Sequence, residues 1–237
     1  MSLGQVKALT FDVFGTVVDW RSSVIRELRQ FGAAKGIDAD WEAFADSWRG
    51  LYQPSMERVR RGERAWVRLD TLHRESLLTL LDRHKIAGLG EAEIDRLVRA
   101  WHRLDPWPDV VAGLNRLKPR YILATMSNGN TSLMVNLARY GRLPWDAILG
   151  AEPAQGYKPE PKVYLAGADW LGLEPEECML VAAHNGDLVA AAGTGFKTGF
   201  VARPTEHGPH QKIDFKAEHD FDVIAADFGD LARRMGC

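Results

Sequence analysis

The spacing of apolar residues changes along this chain, and each change predicts a different kind of element. Residues 6–11 form a short run rich in β-favouring side chains before a glycine-containing turn, which predicts a buried strand. From residue 22 to about 102, apolar positions recur every three or four residues, which predicts amphipathic helices separated by glycines. Further on, strands are predicted at 121–126, 179–183 and 197–201, and helices at 131–140, 161–171 and 187–192.

This alternation predicts an α/β fold, with a Rossmann-like, mostly parallel sheet covered by helices on both faces. The helical region interrupts it directly after the first strand. We therefore expect a core domain of residues 1–16 plus 106–237 and a helical cap domain of residues 17–105. Ligands of such sheets bind beyond the carboxyl ends of the strands, so residues that follow each strand are the first place to look for chemistry.

Composition and charge exclude several classes of function. The chain has 237 residues, 46% of them hydrophobic, and a net charge of −2, with no long apolar run and no long basic run. These features predict no membrane span and no nucleic-acid partner. The first residues lack the pattern of a signal peptide. Cys178 and Cys237 have no disulfide or metal-binding spacing, so a cytoplasmic protein is expected.

Two of the predicted strands end in polar residues suited to catalysis. Asp12 follows the first strand, with a tight turn and the hydroxyl of Thr16 four residues on, a pattern compatible with a carboxylate nucleophile. Asp12 can instead be only a turn or capping residue, and Thr16 can instead only cap the following helix. Ser127 and Asn128 follow a later strand, where their donors can hold an anion, or form only an Asn-Gly turn.

Four motifs occur in order along the chain: Asp12-Val-Phe-Gly-Thr16, Ser127-Asn-Gly129, Lys158-Pro159 with Tyr164 six residues beyond the lysine, and the acid Asp187. This ordered set resembles the haloacid dehalogenase superfamily and, more narrowly, its type II (S)-2-haloacid dehalogenases. The resemblance extends over nearly the whole chain. It implies a hydrolytic dehalogenase that converts short 2-haloalkanoic acids into 2-hydroxy acids and halide through an aspartyl ester. It also implies a homodimer that uses no cofactor and no metal ion.

Phe14 is the residue that separates this activity from its closest alternative. Phosphatases of the superfamily usually carry a second aspartate two residues after the nucleophile, which protonates the departing alkoxide. Phenylalanine cannot donate that proton, whereas a halide is a weak base and needs none. A magnesium-dependent phosphatase or phosphonatase is therefore the alternative enzyme. The second alternative is a catalytically idle binding protein. The presence of Asp12, Lys158 and Asp187 together argues against it.

The resemblance also implies roles for two basic side chains and one phenol. Lys158 is expected to lie beside Asp12 and keep that carboxylate ionised. Arg49, which follows Trp48 in the cap, is expected to bind the halide or the substrate carboxylate. The arginines that compete for this role are Arg58, Arg60, Arg61 and Arg64. Tyr164 is expected either to donate to a carboxylate of the site or to pack in the core.

The fourth motif departs from the pattern of related dehalogenases. Where they often have Ser and Asn before the acid, this chain has Ala182 and His184, with Asn185 adjacent. Asp187 is expected to orient Lys158 or to activate the water that hydrolyses the ester. His184 shares the base role in this hypothesis, since the histidine pKa is near neutrality, or it is a hydrogen-bonded structural residue. Asn185 is expected to bind substrate.

Overall fold

The computed structural model describes residues 3–237, so residues 1 and 2, which the prediction assigned to the core, lie outside the described residues. Strands are β1 Ala8–Phe11, β2 Val18–Asp19, β3 Asp105–Pro106, β4 Ile122–Ser127, β5 Ala147–Gly150, β6 Cys178–Ala182, β7 Lys197–Val201 and β8 Val223–Ala225. Helices are α1 Trp20–Lys35, α2 Trp41–Gly50, α3 Tyr52–Arg60, α4 Leu69–Arg83, α5 Glu91–Val98, α6 Val110–Leu117, α7 Thr131–Gly141, α8 Ala151–Ala154, α9 Pro161–Trp170, α10 Asn185–Ala192 and α11 Phe228–Arg234.

Six strands form one parallel sheet in the order β5-β4-β1-β6-β7-β8. All four residues of β1 are buried because helices cover both faces of the sheet, and the one polar side chain among them, Thr10, donates its hydroxyl hydrogen to the Met179 carbonyl. The chain order changes direction at β1, which lies between β4 and β6. A crevice forms at such a point, beyond the carboxyl ends of these strands. The predicted α/β fold is confirmed.

Helices α1 to α5 lie between β2 and β3, which pair antiparallel as a separate two-stranded ribbon. We call this helical segment, α1–α5, the cap. The chain enters the cap after β2 and returns to the sheet through β3, so the two paired strands of the ribbon connect the cap to the sheet. The division into a core and a cap at residues 17 and 105 stays a prediction, and the ribbon lies at its two proposed boundaries.

Local signals define the beginnings of the first cap helices. The Asp19 carboxylate accepts a hydrogen bond from the Ser22 N–H at 3.0 Å and caps α1, and Asp40 caps α2 in the same way. The apolar positions that predicted these helices are buried, and tryptophans at 20, 41, 48 and 101 are the largest buried side chains of the helical segment between β2 and β3. An aromatic core thus holds the cap together.

Four strands and three helices were not predicted: the ribbon strands β2 and β3, the helices α6, α8 and α11, and the sheet strands β5 and β8. β5 has four residues and β8 has three, and the middle residue of β8 is exposed. Segments of three or four residues are too short for their pattern of apolar residues to be distinguished from that of a loop. They are strands because β5 pairs with β4 and β8 pairs with β7. These two strands widen the sheet and leave the crevice at β1 unchanged.

Candidate active site

A cavity of about 1050 Å³ lies between the carboxyl end of the sheet and the cap. Core residues on its wall are Asp12, Phe14, Asn128, Lys158, His184 and Asp187. Cap residues on its wall include Trp20, Arg49, Tyr52 and Arg60. The structure therefore brings most of the predicted catalytic residues to one cavity.

Asp12, the first residue after β1, is only 7% exposed. Its Oδ1 accepts a hydrogen bond from Lys158 Nζ at 3.0 Å, and its Oδ2 accepts one from the Thr16 hydroxyl at 2.7 Å. The Thr16 oxygen in turn accepts from the Ala183 N–H at 2.9 Å, which ties the turn to the end of β6. Burial alone raises the pKa of Asp12, but Lys158 and His184 together hold it well below its ordinary value. The carboxylate is ionised.

Lys158 is 5% exposed, and its ammonium group lies between the carboxylates of Asp12 and Asp187. Burial alone lowers the pKa of this lysine, but the two carboxylates raise it well above its ordinary value. Asp187 also accepts a hydrogen bond from the Tyr164 hydroxyl at 2.6 Å. Burial and Asp187 raise the pKa of Tyr164, so the phenol keeps its proton. Lys158 and Tyr164 together hold the Asp187 carboxylate in place.

Ser127 and Asn128 organise the end of β4. The buried Ser127 hydroxyl accepts from the Gly129 N–H at 3.1 Å. Asn128 lies on the cavity wall, and its Oδ1 accepts from the Lys158 N–H at 2.8 Å. The two residues thus form the predicted turn, and Asn128 also positions the backbone of the lysine.

His184 lies between two carboxylates. Its Nδ1 is 3.1 Å from Asp12 Oδ2, and its Nε2 is 2.9 Å from Glu206 Oε2. A carboxylate can only accept, so both contacts are hydrogen bonds when each ring nitrogen carries a proton. Burial alone lowers the pKa of His184, but Glu206 and Asp12 raise it well above its ordinary value, in contrast to the near-neutral pKa expected from the sequence. A cationic ring has no lone pair with which to accept a proton from water.

Glu206 was missed by the sequence analysis. It lies in the loop after β7, is 1% exposed, and accepts a hydrogen bond from the Trp20 indole at 3.0 Å. Burial alone raises its pKa, but His184 and nearby Arg49 lower it. No motif marks this residue in the sequence, because its partners are distant in the chain and a loop glutamate is usually exposed.

Arg49 differs from the other candidate arginines. Its guanidinium group lies over the ring of Tyr52 at 4.1 Å and over that of Trp20 at 5.4 Å, and its buried Nη1 has no hydrogen-bond partner in the described part of the chain. Of the four competitors, Arg60 and Arg61 pair with Glu57, Arg64 pairs with Glu75, and Arg58 is exposed near Glu63. A buried, unpaired donor in a cavity wall is a place for an anion.

Asn185 is not on the cavity wall. Its side-chain amide donates to Asp214 and to the Lys216 carbonyl and accepts from the Glu218 N–H at 2.8 Å, so it fixes the loop at 214–218. The structure therefore does not bring Asn185 to the place where substrate binding was expected.

Phe14 lies on the cavity wall, where the core and the helical segment between β2 and β3 are in contact. Its ring is 2% exposed and meets Tyr52 and Trp101 edge to face, with ring centroids 6.3 and 6.0 Å apart. It presents an apolar surface where the related phosphatases have their second aspartate.

Other structural features bear on the sequence predictions. Within residues 3–237, no group of three or more His, Cys, Asp or Glu side chains is arranged to hold a metal ion. No helix in the same range is both long and apolar enough to cross a membrane. Both cysteines are free thiols.

Comparison with known proteins agrees with this geometry. Residues 6–194 match the family of haloacid dehalogenase-like hydrolases. The chain belongs to this family. Among its relatives, (S)-2-haloacid dehalogenase 4A of Burkholderia cepacia is 30% identical over 204 residues, which are 82% of each chain. (S)-2-haloacid dehalogenase 1 of Pseudomonas sp. strain CBS-3 is 28% identical over 83% of this chain and 84% of its own.

Two proteins of known structure have a higher sequence identity to this dehalogenase-like hydrolase than the two relatives above. The defluorinating L-2-haloacid dehalogenase Rha0230 is 47% identical, with a TM-score of 0.96 over 98% of this chain and 96% of its own. The L-2-haloacid dehalogenase PA0810 is 48% identical, with a TM-score of 0.95 over 98% and 99% of the two chains. The resemblance inferred from the four motifs is confirmed.

Gly15 tests how tightly the turn after Asp12 is packed. Its φ is +87°, and an added Cβ would lie 2.1 Å from Oε1 of the buried Glu206. Because hydrogen bonds hold Glu206 in place, we expect Gly15→Ala to lower the free energy of unfolding by about 3 kcal/mol. Urea denaturation measures this change.

The matched control is Gly172→Ala, at a glycine with φ +65° and no atom within 4 Å of an added Cβ. Only backbone strain applies there, so the expected loss is about 1 kcal/mol. Equal losses for the two variants would show that the contact with Glu206 has no energetic effect.

Proposed function

We propose that this protein is a hydrolase that removes halide from short 2-haloalkanoic acids and releases 2-hydroxy acids. The observation that carries the proposal is an ionised, buried Asp12 in a cavity whose neighbouring wall residue is Phe14, which has no proton to give. Such a site suits a leaving group that needs no acid. The (S)-2-haloacid dehalogenases among the relatives support the same substrate class.

In the first step, a carboxylate oxygen of Asp12 attacks the α-carbon of the substrate from the face opposite the halogen. A carbon–oxygen bond forms, the carbon–halogen bond breaks, and the halide leaves with the bonding electron pair. The configuration at carbon is inverted, and the product of this step is an ester of Asp12. Lys158, 3.0 Å from Asp12 Oδ1, keeps the carboxylate ionised and oriented before the attack.

Arg49 is the group we propose for anion binding. Its buried Nη1 has no partner within residues 3–237, and the rings of Trp20 and Tyr52 hold the guanidinium group from its sides. An incoming haloacid adds a carboxylate to the cavity and releases a halide in it, and both are anions. Asn128, a core residue on the cavity wall, is proposed to contact the substrate as well.

In the second step, water attacks the carbonyl carbon of the ester. Asp187 is proposed as the base that takes the proton from this water, since it lies on the cavity wall. The bond between the Asp12 carbonyl carbon and the ester oxygen of the product breaks, and the 2-hydroxy acid takes up the proton held by Asp187. The second water proton stays on the Asp12 carboxyl group, which returns to its ionised form when that proton is released to solvent.

The first prediction for this activity concerns halide release. With an excess of chelator present, we expect halide from chloroacetate or (S)-2-chloropropionate, and Asp12→Asn to lower kcat by at least about a thousandfold because the nucleophile is gone. An ion-selective electrode or a colorimetric assay measures this, with fluoroacetate as a third substrate.

Asp38→Asn, at an aspartate of the cap outside the cavity wall, is the control and keeps wild-type activity. Absence of halide from all three acids, together with magnesium-dependent phosphate release from phosphate esters, would identify a phosphatase instead.

A single turnover in isotopically labelled water tests the ester. Because water attacks the Asp12 carbonyl carbon, the label enters the Asp12 carboxylate, while the first product carries an unlabelled oxygen from Asp12. Mass spectrometry of the peptide that contains Asp12 and of the product measures both. Label in the first product with none in Asp12 contradicts the covalent mechanism, and enzyme without substrate serves as the blank.

For Arg49, we expect Arg49→Ala to reduce kcat/KM by about a hundredfold, since a charged donor to the substrate or halide is lost. Arg58→Ala removes an arginine whose side chain is 61% exposed and serves as the control. Steady-state kinetics and melting temperatures of both variants separate a loss of binding from a loss of folding. Equal activity of the two variants would exclude Arg49 from the site.

Three further features remain part of the proposal. A homodimer is implied by the family resemblance. A cytoplasmic location is supported by the two free thiols. The division into a core and a cap at residues 17–105 is supported by the β2–β3 ribbon, through which the helical segment is connected to the sheet.

A further inference from the structure

The two oxygens of the Asp12 carboxylate have different surroundings. Oδ1 accepts one hydrogen bond, from Lys158 at 3.0 Å. Oδ2 accepts two, from the Thr16 hydroxyl at 2.7 Å and from the His184 ring at 3.1 Å. Oδ1 is thus the less restrained oxygen and the one suited to attack carbon, whereas Oδ2 is held by donors on two sides.

We propose that Glu206 is a positioning residue that holds His184 in its doubly protonated form, so that His184 and Thr16 stabilise the negative charge that develops on Asp12 Oδ2 during ester hydrolysis. This inference rests on the proposed function. It assigns to His184 the part of a hydrogen-bond donor and leaves the role of the base to Asp187.

Glu206 is suited to this part by its own contacts. It is 1% exposed, and its two oxygens lie 2.9 Å from His184 Nε2 and 3.0 Å from the Trp20 indole nitrogen. His207 Nε2 is farther away, at 3.5 Å. The hydrogen bond from the Trp20 indole fixes the Glu206 carboxylate so that it stays directed at His184. Because a buried carboxylate without a cation is unfavourable, Glu206 favours the imidazolium form of His184.

The charges around His184 come from four parts of the fold. They are Asp12 after β1, Glu206 and His207 in the loop after β7, Arg49 on α2, and, beyond Asp12, the pair Lys158 and Asp187. The carboxylates of Asp12, Asp187 and Glu206 match the cations Lys158, Arg49 and protonated His184 in number. A neutral His184 would leave one buried carboxylate without a counter-ion.

Ester hydrolysis at this site conserves atoms and electrons. Water oxygen bonds to the carbonyl carbon of the Asp12 ester, the π pair of that carbonyl moves onto Oδ2, and Asp187 takes the water proton. The resulting oxyanion accepts from Thr16 and from the imidazolium of His184. When the π bond forms again, the bond from carbon to Oδ1 breaks, and Oδ1 leaves as the hydroxyl oxygen of the product with the proton from Asp187. The second water proton stays on the Asp12 carboxyl group, which then releases it to solvent and is ionised again.

The cationic His184 acts on one step only. During displacement, negative charge leaves Asp12 as the ester forms, so a cation at Oδ2 gives no advantage in that transition state. During hydrolysis, a full negative charge returns to Oδ2, and the same cation stabilises it. Loss of the imidazolium therefore slows hydrolysis and spares displacement, which a merely structural role of Glu206 would not do.

Glu206→Gln tests the inference by rapid-quench kinetics. We expect a burst of one halide per active site at the wild-type rate, followed by turnover slowed about tenfold to hundredfold. Mass spectrometry of the quenched enzyme detects the accumulated ester on the Asp12 peptide. Because the variant lacks the charge that raises the His184 pKa, the alkaline loss of the hydrolysis rate moves to lower pH. Glu218→Gln, at an exposed glutamate of the same loop, is the control and behaves as wild type.

A second measurement uses the wild-type protein and does not depend on the folding of a variant. Nitrogen NMR spectra of isotope-labelled enzyme, with His184 assigned through His184→Gln, report both ring nitrogens as protonated well above neutral pH. A neutral His184 ring at that pH overturns the inference. A folded Glu206→Gln variant with slow turnover and no initial burst of halide overturns it as well. Absence of halide release by the wild type overturns the proposed function and this inference together.

Discussion

The ion pair between Asp12 and Lys158, 3.0 Å apart and almost without exposure to water, is the interaction on which the site depends. Removing one partner of such a pair leaves an uncompensated buried charge, at a cost of about 3–5 kcal/mol. The surrounding fold is arranged to avoid that cost. Asp187 shares the ammonium group, and Asn128 fixes the backbone of the lysine. The sheet contributes by ending β1 beside β4 and β6, so that residues distant in sequence meet at one carboxyl edge.

Contacts between the core and the cap complete the site. Phe14 contacts two aromatic rings from the helical segment between β2 and β3, and the Trp20 indole donates to Glu206. Glu206 in turn contacts His184, the histidine beside Asp12. Arg49 reaches the cavity from α2 and is held by aromatic faces rather than by a carboxylate. Its charge thus remains available to an anion. The cap therefore supplies both an apolar wall and a cation for the cavity, while the core supplies the buried Asp12 carboxylate.

Much of this could be predicted because the signals were local. A short β-favouring strand followed by Asp12 and a turn, and a helical period from Val24 to Phe31, are readable within one window of sequence. The order of the four motifs indicated which residues meet, and the structure brings Asp12, Lys158 and Asp187 together. The short strands β5 and β8 were missed because they exist only through pairing with longer neighbours.

By itself, the sequence determined the fold class, the family and the residues at the ends of the strands, since strand ends and motif order are properties of neighbouring positions. The tertiary structure alone decided which groups surround His184 and Glu206. A pKa depends on charges within a few ångströms, and the carboxylates on either side of His184 come from positions 12 and 206. It also decided that Asn185 turns to a loop rather than to the cavity, because its partners, at 214–218, approach only after folding.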